Sequence, residues 1–230
     1  LTDDGRLKWK KVFSVDDTAS ADVPDSLPAR KRPVKLEICS GSGEWVAAQA
    51  AAESSVARWV AMELRHDRMY DCFARMVTGD LKNLAVVGGD ASQVLRHHIV
   101  DGSFAHICIN FPESPHQTGA GSKTSENHNH LLTSDFFRIV HTSLADGGGL
   151  TIFSHDYKYC KLLARTIASV RGEPVPAPTG GLTPQVGERL YETQTPRAFD
   201  GPVSEELGRC FSVCLRSEAN CGDLTHNRIE

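Results

Sequence analysis

The stretch Leu36-Glu37-Ile38-Cys39-Ser40-Gly41-Ser42-Gly43-Glu44-Trp45 sets two glycines between an apolar run and an alanine-rich one. Glycines at such a junction let backbone approach a ligand and leave the amides of a helix start open to it. A dinucleotide loop would need a third glycine where Val46 stands, and Glu44 puts negative charge where a pyrophosphate would sit. A ligand with a cationic part suits the turn better, with Glu37 placed to pair with an ammonium. Glu63 ends a second apolar run, a position from which a carboxylate can accept two ribose hydroxyls. Asp90, in Gly88-Gly89-Asp90-Ala91, can hydrogen-bond an adenine amine, cap the helix that follows, or do both.

These features describe a nucleoside with a charged tail, for which S-adenosyl-L-methionine is a better fit than NAD. The fourth apolar run ends Asn110-Phe111-Pro112-Glu113, a polar, aromatic, rigid and acidic rim, and the fifth ends Ser154-His155-Asp156. Two carboxylates there can accept hydrogen bonds from the N1–H and N2 edge of guanine and offset positive charge formed on its ring. Guanine N7 carries no proton, so methyl transfer to it needs alignment and electrostatics more than a base. No Ser/His/Asp triad is evident. His116, His128, His130 and His155 lack a matched Cys or Asp set, and no metal is expected.

The elements that must hold these groups read as alternating strands and helices. Strands are expected at 34–39, 58–63, 84–88, 105–110 and 150–154, and helices at 44–52, 67–77, 91–99, 133–144 and 157–170. That rhythm predicts βαβ crossovers and a mostly parallel sheet covered on both faces. Later strands near 189–193 and 211–215 read as a pair closing one sheet edge, which makes that edge antiparallel. Residues 1–33 read as an N-terminal arm, partly flexible, anchored by Trp9 and Phe13. Residues 34–230 read as one domain with two long loops, 112–130 and 171–188.

The chain has 230 residues with 40% hydrophobic and 23% charged, enough for a self-sufficient core. Its formal charge of −4 argues against non-specific coating of nucleic acid, while leaving room for a local basic patch. Arg6, Lys8, Lys10 and Lys11 form one such cluster and Arg30, Lys31, Arg32 and Lys35 another. Seven scattered cysteines fit buried thiols in a reducing compartment. No membrane span or signal peptide is evident, so an intracellular protein, nuclear or cytoplasmic, is expected, with no membrane partner. The sequence begins at Leu1 rather than Met, and we expect a segment upstream of it.

Taken together, these motifs resemble the TrmB-like tRNA (guanine-N7)-methyltransferases. The resemblance runs through Trp9 and Phe13, residues 36–170 and, more weakly, 191–216. Leu36-Glu37-Ile38 with Gly41 and Gly43 is similar to the family's cofactor loop, Ala61-Met62-Glu63-Leu64-Arg65 to its ribose-binding strand end, and Asn83-Leu84 with Asp90-Ala91 to its adenine-side motif. Asn110-Phe111-Pro112-Glu113 resembles the signature whose acidic residue is linked to catalysis, and His155-Asp156 the Thr-Asp pair at the target guanosine. Leu207-Gly208 is similar to the family's tail.

The resemblance implies a three-layer class I S-adenosylmethionine-dependent methyltransferase fold, Rossmann-like, and methyl transfer to guanine N7 in tRNA. It implies Glu113 and Asp156 as catalytic residues. Glu37, Cys39, Gly41, Gly43, Glu63, Leu64, Asp90, Ala91 and Asn110 would bind the cofactor. Phe111, Pro112, His116, His155, Thr195 and Asp200 would bind the substrate. tRNA is the implied partner, joined by a β-propeller protein in eukaryotic members. Three departures stand out: Cys39 replaces the loop's first glycine, Glu113 replaces Asp, and Ser114-Pro115-His116-Gln117 replaces a dense basic run. Losing that run removes a grip on tRNA phosphates. Arg65, Arg68, Arg75 and the basic arm are the candidates to supply it. A different substrate, or a cofactor-binding subunit with little catalysis, are the alternative readings.

Overall fold

The computed structural model describes residues 1–13, 31–114 and 130–170, with two further strands at 186–189 and 210–216. In chain order the elements are α1 (Trp9–Val12), β1 (Val34–Ile38), α2 (Glu44–Ala52), β2 (Arg58–Glu63), α3 (His66–Thr78), β3 (Leu84–Gly88) and α4 (Ala91–His98). They continue as β4 (Phe104–Asn110), α5 (Ser134–Ser143), β5 (Leu144–Ser154), α6 (Tyr157–Val170), β6 (Val186–Arg189) and β7 (Cys210–Arg216).

The strands form one sheet in the order β3-β2-β1-β4-β5-β7-β6. The five that carry the expected site residues, β1 to β5, are all parallel to one another. Alternating residues feed two apolar layers, as the two-residue period of a strand requires. Leu36, Ile38, Val60, Met62, Ile107 and Ile109 pack on one face with Phe136, Val140, Leu163 and Ile167 of α5 and α6. Trp59, Ala61 and Cys108 pack on the other with Val46 and Ala50 of α2 and Cys72 of α3. Burial on both faces explains why β2 is buried at every position.

The expected antiparallel edge is corrected by the strand order. β7 is the strand that runs antiparallel, and it lies inside the sheet between β5 and β6. Because β6 is antiparallel to β7 in turn, the edge strand points the same way as β1 to β5. Composition supplies a reason. Cys210-Phe211-Ser212-Val213-Cys214-Leu215 is apolar enough for an interior position, while Val186-Gly187-Glu188-Arg189 carries charges that an edge tolerates. β6 also takes residues 186–189 rather than 189–193, and so shortens the stretch read as a loop. Its place depends on the long-range register from Val186 opposite Val213 to Arg189 opposite Cys210. Local pattern does not encode that pairing.

Residues 1–13 dock at the end of the sheet where the parallel strands begin. Trp9 packs on Phe104 at 5.5 Å between ring centroids, and Phe13 is buried with the Arg58 guanidinium 5.1 Å from its ring. The Leu7 amide donates to the His98 carbonyl at 2.8 Å.

Candidate cofactor and acceptor site

The order of β3-β2-β1-β4-β5 reverses between β1 and β4, and in open parallel sheets ligands bind beyond the carboxyl ends of strands at that point. The turn after β1 is bent by three positive φ values, +59° at Cys39, +55° at Gly41 and +80° at Gly43. Ser40 clamps it to β2. Its amide donates to the Met62 carbonyl, the Met62 amide donates back to the Ser40 hydroxyl, and that hydroxyl donates to the Glu37 carbonyl. Gly43 must be glycine for space as well as for φ. A Cβ there would lie 2.7 Å from Cys72 Sγ and 3.0 Å from Cys72 Cα. The Cys72 thiol donates to the Gly41 carbonyl, and Arg75 bonds both the Ser42 carbonyl and the Glu44 carboxylate. Arg75 thus offsets the charge that Glu44 places at the start of α2.

Glu37 and Asn110 meet across the reversal. Asn110 Nδ2 donates to Glu37 Oε1 at 2.6 Å, while Glu37 Oε2 is buried and has no hydrogen-bond partner. Burial raises the Glu37 pKa to about 7, against the pull of Asn110, Ser40 and the Val46 amide. A buried carboxylate with one oxygen unpaired fits a ligand that brings a donor or a cation.

Glu63 is less free than a bare strand-end carboxylate. It accepts from Gly41 N at 2.8 Å, Leu64 N at 2.9 Å and Arg65 N at 3.0 Å. A carboxylate has about four acceptor positions, so a pair of ribose hydroxyls must share or displace one of these amides. Asp90 caps α4 by accepting from Gln93 N at 2.9 Å, and the next residue, Ala91, is buried. Leu64 is 62% exposed beside Glu63, open to an apolar ring. Cys39 is exposed, yet surrounding protein desolvates its thiol, and with the Glu63, Glu37 and Asp90 carboxylates pushes its pKa up to about 11.

The acceptor rim continues from Asn110. Phe111 has φ +49°, a strained value for an aromatic residue, held by its amide donating to the Phe153 carbonyl at 2.8 Å. Its half-exposed ring lies 6.3 Å from that of His155 with 26° between planes. Pro112 is half-buried, Glu113 is exposed, and Ser114 is buried with its hydroxyl unpartnered. Asp156 opens α6, its Oδ1 accepting from Tyr159 N at 3.1 Å. Tyr159 is buried and its hydroxyl meets His130 Nε2 at 2.7 Å.

The structure therefore brings together Glu37, Cys39, Gly41, Glu63 and Asn110 as one group and Phe111 with His155 as another. His116, Thr195 and Asp200 lie outside the described residues. Asn83, read from the resemblance as adenine-side, sits at the opposite end of β3 and donates to the Ala50 and Ala57 carbonyls at 2.9 and 3.0 Å. It is a buried strut. Two of the candidate phosphate grips are engaged, Arg65 with Asp67 and Arg75 with Glu44, and residues 1–13, which carry Arg6, Lys8, Lys10 and Lys11, lie at the far end of the sheet. The sequence reading gave no role to Ser40 or Tyr159 and weighed His130 only as a metal ligand. Only Ser40, inside the glycine turn, carried a local signal. Among the described residues no group of three or more His, Cys, Asp or Glu is arranged to hold a metal ion, and no helix is long and apolar enough to cross a membrane.

Strand order, glycine turn and carboxylates at the switch point define a class I, Rossmann-like fold of the S-adenosylmethionine-dependent methyltransferases. A solved aminoglycoside resistance methyltransferase, NpmB1, shares that fold with TM-score 0.50 and 12% identity, over 82% of this chain and 89% of that one. Residues 31–172 match the family described as "Putative methyltransferase", and the chain belongs to that family. Among curated relatives, the tRNA (guanine-N(7)-)-methyltransferase of Chlamydia muridarum is 33% identical over 58% of this chain and 57% of its own. That of Chlamydia trachomatis is 34% identical over 57% and 55%. The enzyme of that name from Pseudomonas aeruginosa is 24% identical over 80% and 72%. The chain thus spans little more than half the length of the two chlamydial relatives.

Proposed function

We propose that this chain binds S-adenosyl-L-methionine and catalyses methyl transfer to N7 of guanine in tRNA. The observation that carries the cofactor assignment is Glu37, buried at the switch point with Oε1 held by Asn110 and Oε2 unpaired. Glu37 would receive the ammonium of the amino-acid tail, Glu63 the ribose, and Leu64 with Asp90 and Ala91 the adenine. When bound, the cofactor supplies a methyl group on a sulfonium whose S–C bond breaks as the N7 lone pair forms the new C–N bond. The guanine ring would gain the positive charge that the departing neutral thioether gives up.

The rim residues serve that charge change. Phe111 and His155 offer a stacked aromatic face on which a base taken out of its stack can rest. Glu113 and Asp156 provide negative charge beside the ring as it becomes cationic, which lowers the barrier without any proton transfer. The names of the chlamydial relatives support tRNA guanine N7 as the acceptor. The second reading, a methyltransferase of another substrate, is favoured by the ion pairs that occupy Arg65 and Arg75. A labelled-methyl transfer assay on unmodified total tRNA, with the modified nucleotide mapped, separates the two. Label at guanine N7 supports the first reading. Cofactor binding without label in any RNA supports the second.

A further inference from the structure

Cys39 holds φ +59°, a left-handed conformation that costs a residue with a Cβ more than it costs glycine. The conformation is imposed from both sides. Ser40 is bonded to Met62 through its amide and its hydroxyl, and Ile38 is locked in β1 opposite Met62 and Ile109. Strain that the surroundings over-determine in this way gathers where backbone meets ligand. Glu37 lies two residues before Cys39 in β1, and Glu63 reaches the turn two residues after it, accepting from the Gly41 amide at 2.8 Å. An independent sign of a ligand lies in the same place: Glu37 Oε2, in a residue 2% exposed, has no partner.

We propose that Cys39 is a specificity-determining residue of the cofactor crevice, its side chain taking up space between the Glu37 and Glu63 carboxylates and so weakening the hold on the adenosyl ligand. This rests on the proposed cofactor site and adds to it a residue that limits affinity. A thiol kept protonated there contributes bulk without charge. Shortening it frees volume beside the ligand and relieves the backbone, while lengthening it closes the crevice.

Calorimetry with S-adenosylhomocysteine tests this on Cys39→Gly, Cys39→Met and, as a control for the site, Glu63→Ala. Cys39→Gly is expected to lower the Kd at least fivefold and Cys39→Met to raise it at least tenfold, with urea midpoints showing all variants folded. Peptide-resolved alkylation by N-ethylmaleimide adds a reading that a purely structural residue would not move: saturating S-adenosylhomocysteine should slow modification of Cys39 at least tenfold. An unchanged Kd in Cys39→Gly, or unprotected Cys39 in the ligand-saturated protein, overturns the role of Cys39 while loss of affinity in Glu63→Ala leaves the site standing. No binding by either the unmodified chain or Cys39→Gly at millimolar ligand overturns both.

Discussion

Glu37→Gln should stabilise the ligand-free protein, and do so only above mildly acidic pH. The Glu37 carboxyl has an ordinary pKa of 4.5 and is raised to about 7 by burial in the fold. A folded-state pKa above the unfolded one means stability that is full below pH 4.5 and is lost as pH rises to about 7. At roughly 1.4 kcal/mol for each pH unit, the gap corresponds to an upper bound of ~3 kcal/mol. Glutamine mimics the protonated acid and can still accept from Asn110 Nδ2, so it escapes that loss. The variant and the parent should therefore unfold alike in urea near pH 4, while near pH 8 the variant is more stable by up to ~3 kcal/mol, or about 6–12 °C in Tm. Saturating S-adenosylhomocysteine should shrink or reverse the difference, because its ammonium pairs with the parent's carboxylate and finds only an amide in the variant. Other titrating groups are common to both proteins and cancel in the comparison. A stability difference that stays flat from pH 4 to pH 8 would refute the assignment of Glu37 as the buried, unpaired acid.

Three further outcomes are expected. Gly43→Ala meets both the +80° φ and the Cys72 side chain, and should destabilise by about 2–4 kcal/mol in urea unfolding, with part of the loss recovered when Cys72→Ala removes the sulfur contact. Asn83→Ala leaves the buried Ala50 and Ala57 carbonyls without their side-chain donor, costing about 2–3 kcal/mol of stability while the S-adenosylhomocysteine Kd stays within twofold. Glu113→Gln should lower kcat for tRNA methylation on the order of 10²-fold with the cofactor Kd little changed; parent-like turnover would remove Glu113 from the reaction.

The sheet that positions the site was largely legible in the residues. β2, β3, α2 and α6 begin and end where their apolar runs do, because parallel strands buried on both faces leave an uninterrupted signature in sequence. The last strand was legible to within a residue at each end, but the order of the last two in the sheet and the bounds of β6 were not, since an edge is assigned by which distant segment offers hydrogen bonds. Glu37, Glu63, Asp90 and Asn110 could be named as candidates because each lies within two residues of the end of a strand. Their division of labour could not. Glu63 turned out to be held by three amides and Asp90 to cap α4, while Asn83, equally polar and equally close to a strand, is a strut at the wrong end of it.

By itself the sequence determined the alternation of strands and helices, the glycine turn and the residue types at the strand ends, all of which follow from local periodicity and from the need for φ values that glycine accepts. Only the tertiary structure decided that β1 and β4 lie side by side. That adjacency joins Glu37 to Asn110 across 73 positions of chain and leaves one buried oxygen unpaired. Hydrogen-bond satisfaction in a desolvated interior depends on neighbours in space, and no local pattern records who those neighbours will be.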